Sequence, residues 1–132
     1  MSIDLADDVK TARLQALANK IDAAATPGHL LLYTAPRPQR GAAAGPAALI
    51  SDITLTKPCG VVTGNSLALT LPPVVLAAID GDIAWGRLVD GDGNWRGDGD
   101  AGQIGSGAFI QSGNLHIYGG GLVGIAAATI TE

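Results

Sequence analysis

The residues of this chain that could perform chemistry are concentrated in one segment, "LVDGDGNWRGDGDAG" at 88–102, which contains four aspartates and five glycines. Asp90, Asp92 and Asn94 fall at the first, third and fifth places of a calcium-binding loop. Their side-chain oxygens could face one hard cation, which prefers oxygen ligands. A calcium-assisted carbohydrate-binding or adhesion module is therefore one hypothesis, and the Arg-Gly-Asp tripeptide in this segment would suit adhesion at an exposed loop tip.

Two restrictive places of the calcium-loop pattern hold unsuitable residues. The sixth place, which should be the turn glycine, is Trp95, and the twelfth, which should be a bidentate glutamate, is Ala101. The Arg-Gly-Asp match is three letters long and is expected often by chance. We therefore regard Asp90, Asp92 and Asn94 as weak metal candidates, and we predict neither a bound metal nor another cofactor.

A hairpin explains the same segment better. Apolar residues alternate before an Asp-Gly pair, and glycine supplies the positive φ of a tight type I′ turn. With Asp92 and Gly93 at the centre, Arg87 lies opposite Asp98, which is an attractive cross-strand pair. Centring the turn one residue earlier would place Arg87 opposite Arg96. The charges therefore predict the first register.

Residues typical of catalysis are sparse elsewhere. The sequence has no G-x-S-x-G elbow, no phosphate loop and no H-E-x-x-H pattern, and its one glutamate is Glu132. Cys59 is the single cysteine, which suits a buried small residue better than a metal ligand. His29 and His116 are far apart and are interpreted as ordinary strand residues. We predict that the protein is not an enzyme.

Charge and hydropathy exclude two classes of partner. The formal net charge is −4, the isoelectric point is near 4.9, and the basic residues are spread thinly, which argues against nucleic acid. No apolar run approaches the roughly 18 residues that span a bilayer. The N-terminus "MSIDLADDVK" is acidic, unlike a signal peptide, so we expect synthesis in the cytoplasm and no membrane partner.

The first 28 residues are expected to form one helix and its cap. Residues 3–22 lack Gly and Pro, and their leucines and isoleucine recur at helical spacing. Ser2 or Asp4 could cap the start of the helix, and "TPG" at 26–28 would end it.

Residues 29–132 are expected to form the β part of a single domain. Short runs bounded by Gly, Pro, Asn or Asp recur at regular spacing, which is typical of strands. The predicted fold is mainly β: the N-terminal amphipathic helix is followed by an antiparallel β-sandwich or barrel of about seven to eight short strands. Segment 72–80 is ambiguous between a strand and a short helix. The predicted strands are 29–34, 48–55, 66–71, 83–89, 94–98, 107–111, 114–118 and 122–131.

An extended arm is predicted at 35–47, where "APRPQRGAAAGPA" is rich in Pro, Gly and Ala. A segment of this length with little to bury is either mobile or ordered by contacts outside its own domain. Its charges, Arg37 and Arg40, are candidates for a partner interface. Trp85 and Trp95 are the largest apolar side chains, and they are interpreted either as anchors of the sheet or as interface anchors.

Four blocks of the sequence resemble a family of small virion structural proteins of tailed bacteriophages. The blocks are the end of the helix at Ile21–Ala23, the strand and arm at Leu30–Pro38, the hairpin at Trp85–Gly93, and the glycine-led last strand at Gly121–Thr131. The resemblance covers most of the chain and is one of order and spacing. Gly86 departs from the pattern, because a bulky residue is more usual there.

The resemblance implies a part of the virion. The expected function is capsid decoration, in which a cement protein stabilises the head shell and contacts the major capsid protein, other virion proteins and copies of itself. A tail-associated structural protein of the same virion is the alternative. No catalytic or ligand motif accompanies the resemblance.

Overall fold

The computed structural model describes residues 3–72 and 75–132, which form one helix and a set of short strands. The helix α1 spans Asp7–Ile21. The strands are β1 (His29–Tyr33), β2 (Leu49–Thr54), β3 (Gly60–Thr63), β4 (Ser66–Leu69), β5 (Val75–Leu76), β6 (Gly81–Asp82), β7 (Trp85–Val89), β8 (Trp95–Gln103), β9 (Ile110–Ser112), β10 (His116–Ile117), β11 (Leu122–Val123) and β12 (Ala127–Thr131).

Helix α1 is shorter at its start than the predicted 3–22. Ala6 occupies the N-cap position and makes no side-chain capping bond. Asp4 therefore does not cap the helix as predicted, and Ser2 lies outside the described residues. The helix buries Leu14, Ala18 and Ile21 against the sheet, so its apolar spacing does select the face that packs.

Eight strands form one curled sheet that resembles half of a barrel, in the order β2-β1-β7-β8-β9-β12-β4-β3. Two further two-stranded ribbons, β10–β6 and β11–β5, complete the β structure of the described residues. The prediction of a mainly β chain with one N-terminal helix is confirmed. The predicted antiparallel arrangement is wrong for this sheet, because β8 and β9 are parallel.

The parallel pair arises from a short return loop at 104–109. Gly105 and Gly107 have φ values of +88° and +82°, which bend the chain back beside the strand that it has just left. The loop lies over Gly102, where an added Cβ would come within 2.5 Å of the Ser106 hydroxyl oxygen. Any side chain at position 102 would press against Ser106 and Ala108, so glycine gives the loop room to cross its own strand.

Several predicted strands differ in extent from the observed ones. Strand β3 lies outside the predicted strands, and the predicted strand 122–131 is divided into β11 and β12. The ambiguous segment 72–80 contains the short strand β5, while residues 73–74 lie outside the described residues. Strand β8 extends well beyond the predicted 94–98 because it pairs with β7 and then with β9.

The curled sheet has two unlike faces. Leu30, Leu32 and Leu88 point to the inner face and belong to the apolar core that α1 covers. Tyr33 and Trp85, at alternate positions, occupy the outer face. The outer face carries Trp85 and Trp95, two of the four interface candidates.

No helix among the described residues is long and apolar enough to cross a bilayer.

Candidate functional site

The hairpin between β7 and β8 turns differently from the predicted type I′ turn. Asp90 O accepts a hydrogen bond from Gly93 N at 3.0 Å, and Asp90 N donates to Asn94 O at 3.0 Å. Gly93 has a φ of +84°, whereas none of the described non-glycine residues has a positive φ. These contacts define a three-residue loop that ends in a left-handed glycine, because a type I′ turn would need Asp92 at positive φ as well.

The predicted register is nevertheless confirmed farther from the turn. Arg87 lies opposite Asp98, while Val89 lies opposite Trp95, so the pairing shifts by one residue at Arg96. The three-residue loop shifts the pairing by one residue from the predicted register. The bulge at Arg96 shifts it back. The attractive pair forms as the charges predicted, through a loop and a bulge rather than through a two-residue turn.

The Asp90 carboxylate is buried inside this hairpin and accepts four hydrogen bonds. Its Oδ1 accepts the backbone N–H groups of Asp92 and Asn94, both at 2.9 Å. Its Oδ2 accepts Asn94 Nδ2 at 3.1 Å and Arg96 Nη2 at 2.8 Å. Asp90 is 2% exposed, and protein donors therefore surround the group that would have been the first calcium ligand.

Hydrogen bonding also determines the charge state of Asp90. Burial would raise the pKa of this carboxyl, but the bonds from Asn94, Arg96 and Asp92 favour the ionised form and lower the pKa to about 2. Asp92 is exposed, and the Asn94 amide nitrogen is directed at Asp90. Over residues 3–72 and 75–132, no three His, Cys, Asp or Glu side chains are grouped so that they could hold a metal ion.

Arg87 and Asp98 form a two-point ion pair on the outer face. Arg87 Nε donates to Asp98 Oδ1 at 2.7 Å, and Nη2 donates to Oδ2 at 3.1 Å. The two side chains are 12% and 4% exposed. Burial acts to raise the pKa of Asp98, but the hydrogen bonds from Arg87 and Trp95 outweigh it and lower the pKa. The pair is therefore ionised and directional, as a guanidinium fork against a carboxylate requires.

Trp85 is fully buried on the outer face, so the prediction that it contacts a partner is not supported. Its ring stacks on Tyr33 with centroids 4.5 Å apart, and its Nε1 donates to Thr34 O at 2.9 Å. The Arg87 guanidinium lies 5.2 Å from the ring centroid on this face. Trp85 thus acts as an anchor of the sheet, which was the other interpretation of this residue.

Trp95 is half-buried and holds the arm against the hairpin. The Arg40 guanidinium lies 5.4 Å from the centre of its ring, and an added Cβ at Gly41 would lie 3.3 Å from the same ring. Trp95 Nε1 also donates to Asp98 Oδ1 at 3.1 Å. Trp95 therefore connects the arm to the buried ion pair.

The arm at 35–47 is ordered by its own domain, which corrects the expectation that it is either mobile or ordered by contacts outside that domain. Arg37 Nη2 donates to Asp98 O at 3.1 Å, and Arg87 Nη2 donates to Ala42 O at 2.6 Å. Arg37 and Arg40 remain exposed, so they can still meet a partner. All four interface candidates lie beside the β7–β8 hairpin. The two aromatic ones, Trp85 and Trp95, mainly stabilise the packing of the sheet and the arm.

Two histidine–aspartate pairs were missed because their partners are distant in sequence. His29 Nδ1 lies 2.7 Å from Asp52 Oδ1 on β2, and His116 Nδ1 lies 2.6 Å from Asp82 Oδ1 on β6. Both pairs cross between neighbouring strands, so strand pairing would have been needed to find them. The His116 ring also meets Tyr118 edge to face.

Cys59 is buried beneath α1. Burial and the nearby Asp22 carboxylate raise the pKa of its thiol to about 11. The thiolate form needed for nucleophilic attack is therefore scarce near neutral pH. Its contact with Ala18 O and its place in the core fit the predicted role of a small buried residue.

Comparisons with protein-family models, with curated proteins and with solved structures find no match to this chain. The class that the fold itself defines is a mainly β protein with a curled mixed sheet and one covering helix.

Proposed function

We propose that this protein is a structural component of a tailed-bacteriophage virion, made in the host cytoplasm and incorporated into the particle. The more specific proposal is a capsid decoration protein that cements the head shell. The order and spacing of the four sequence blocks support the virion assignment. The major capsid protein or another virion protein would be its partner, together with copies of itself.

The observation that carries this proposal is a set of exposed apolar side chains on the two short ribbons. Leu76 and Leu122 pair across β5 and β11 and are 65% and 64% exposed, and Tyr118 at the end of β10 is 67% exposed. We name Leu76, Tyr118 and Leu122 the ribbon patch. Large apolar groups that remain in water on neighbouring elements are typical of a surface that another protein covers.

The alternative of a tail-associated protein uses the same surface. A ribbon patch could meet a tail tube as well as a shell, and only the position in the particle distinguishes them. The calcium-assisted carbohydrate-binding or adhesion module is not proposed, because the Asp90 oxygens accept protein donors. In the described part of the chain, no three His, Cys, Asp or Glu side chains are grouped to hold an ion.

Substitution of the ribbon patch tests the proposal. We expect Leu76→Glu combined with Leu122→Glu to leave the isolated protein folded and to reduce its copy number in purified particles at least tenfold. Quantitative mass spectrometry of the particles provides the copy number. Ile104→Glu is the matched control, because Ile104 is 63% exposed but lies in the return loop. Unchanged incorporation of the double variant would contradict the proposed surface.

A further inference from the structure

The curled sheet contains a gap between β8 and β12. Strand β9 separates these two strands where it pairs with Ala101–Gln103 on one side and Ala127–Ala128 on the other. In the described part of the chain, β9 begins at Ile110, so no strand lies between the earlier part of β8 and the later part of β12. Two strand spacings amount to roughly 9–10 Å, which is the room that one additional strand needs.

A cleft of about 370 Å³ occupies this gap. Its lining includes the consecutive residues 96–100 of β8 and 129–131 of β12. Residues of both faces of β8 and β12 thus line it, as is expected of a cleft that passes between the strands. Phe109 closes one end, where its N–H donates to Asp100 Oδ1 and its carbonyl accepts Thr129 N.

The inner wall of the cleft is apolar and open. Leu17, Leu88 and Ile130 line it. Gly97 pairs with Leu88 and so faces the same side, and an added Cβ at Gly97 would meet no atom within 4 Å. A side chain that entered from outside would therefore find apolar walls and free space.

One buried donor and one carboxylate without a cationic partner lie at the cleft. Arg96 Nε is buried and has no acceptor among the described residues. The Asp100 carboxylate is exposed and forms none of the ion pairs found among the described residues. A backbone carbonyl would satisfy Arg96 Nε, since buried donors without acceptors are costly. The Asp100 carboxylate accepts Phe109 N, and a cationic side chain would add an ion pair to it.

We infer that this gap is an acceptor slot for an extended peptide segment that carries a Lys or Arg and belongs to a partner protein. The segment would add a strand in line with β9, pairing with β8 and β12 by β-strand addition. Its basic side chain would meet Asp100. This inference concerns how a partner is bound and does not depend on the virion role.

Charge favours a partner protein over a second copy as the source of the segment. The acidic start of this chain, with Asp4, Asp7 and Asp8, would repel Asp100. The basic arm contains Pro36 and Pro38, which have no backbone N–H to donate to a ladder. Neither segment of a second copy therefore matches the slot.

Selection from a displayed library of random heptapeptides tests the slot. Enriched sequences should contain Lys or Arg in an extended, proline-free stretch, and synthetic copies should bind the protein in fluorescence anisotropy. Gly97→Val should weaken this binding at least tenfold, because a Cβ added at Gly97 meets no atom within 4 Å and the valine side chain would occupy the cleft. Gly124→Val is the matched control, since an added Cβ there also meets nothing and Gly124 is outside the cleft.

Asp100→Asn provides a second readout, because the amide oxygen can still accept Phe109 N while the charge is lost. It should reduce the preference for Lys-containing over Gln-substituted peptides at least fivefold. Failure to enrich any peptide, or equal binding to the wild type and Gly97→Val, would overturn the inference. Concentration-dependent dimerisation that Gly97→Val abolishes in analytical ultracentrifugation would overturn the assignment to a partner protein.

Discussion

The Asp90 side chain stabilises the β7–β8 hairpin through hydrogen bonds within it. Its buried carboxylate joins the loop backbone, the Asn94 amide and the bulged Arg96. The spacing of Asp90, Asp92 and Asn94 suggested a metal ligand because tight turns and calcium loops both favour Asp and Asn at closely spaced positions. In a hairpin loop the carboxylate oxygens accept hydrogen bonds from the chain, whereas in a calcium loop they coordinate the ion.

The pH dependence of stability tests this role of Asp90. Its pKa is about 2 in the folded chain against an ordinary 3.8, so its stabilising contribution is present above 3.8 and is lost as the pH falls toward 2. We expect Asp90→Asn to lower the melting temperature at neutral pH and to flatten its decline between those two pKa values. Asp92→Asn, on the exposed part of the same loop, should change neither. Identical melting profiles for Asp90→Asn and the wild type would contradict this role.

The Arg87–Asp98 pair should matter more for stability than an exposed ion pair. Arg87→Met leaves the Asp98 carboxylate buried without its main partner, which costs about 3 kcal/mol in the free energy of unfolding. Arg13→Met is the matched control, because Arg13 pairs with Glu132 but is 58% exposed. Its effect should stay below about 1 kcal/mol. Urea denaturation measures both, and equal losses would show that burial of the pair has no special effect.

At the scale of elements, the arm is part of the outer face of the sheet. Arg40 and Gly41 lie against Trp95, while Arg37 and Ala42 form hydrogen bonds with the hairpin. The composition of the arm predicted a segment that is either mobile or ordered by contacts outside its own domain, because it has little to bury. Its order comes from aromatic and charged groups on β7 and β8, which are distant in sequence.

Limited proteolysis tests the attachment of the arm. Trp95→Ala removes the ring on which Arg40 and Gly41 rest, so trypsin should cleave after Arg40 about tenfold faster. Trp95→Phe keeps an aromatic ring and should remain closer to the wild type. Cleavage rates are read from intact mass spectra over time. An arm that is cut equally fast in the wild type and in Trp95→Ala would contradict the packing described here.

Local patterns predicted the elements that depend on near neighbours. The helix follows from apolar spacing, β1 and β7 from short apolar runs, and the opposition of Arg87 and Asp98 from charge. Strand β3 had a usable signal that was missed: Gly64 and Asn65 form the two-residue connection to β4, with Gly64 at a φ of +59°.

Contacts between distant segments could not be predicted in the same way. The parallel pairing of β8 and β9 depends on the return loop over Gly102, and the spacing of apolar residues does not predict the path of that loop. The burial of Trp85 depends on Tyr33, and the pairing of His116 depends on Asp82. The cleft between β8 and β12 results from where β9 begins, which is a property of the assembled sheet.

At the scale of the whole molecule, the protein has an apolar core on one side of its sheet and two surface features that we propose bind partners. The ribbon patch presents apolar side chains, and the slot is lined by segments of β8 and β12 that pair with no strand on the side of the slot. They are separate, since no ribbon-patch residue lines the cleft. A protein that bridges neighbours in a lattice needs more than one contact surface.

The position of this chain in the particle tests the central claim most directly. A cryo-electron-microscopy reconstruction of the virion should contain this curled sheet at repeating positions on the head shell, with Leu76 and Leu122 covered by a neighbouring subunit. Density for the fold on the tail would support the tail-associated alternative instead. Particles that lack this chain altogether would contradict its assignment as a virion structural protein.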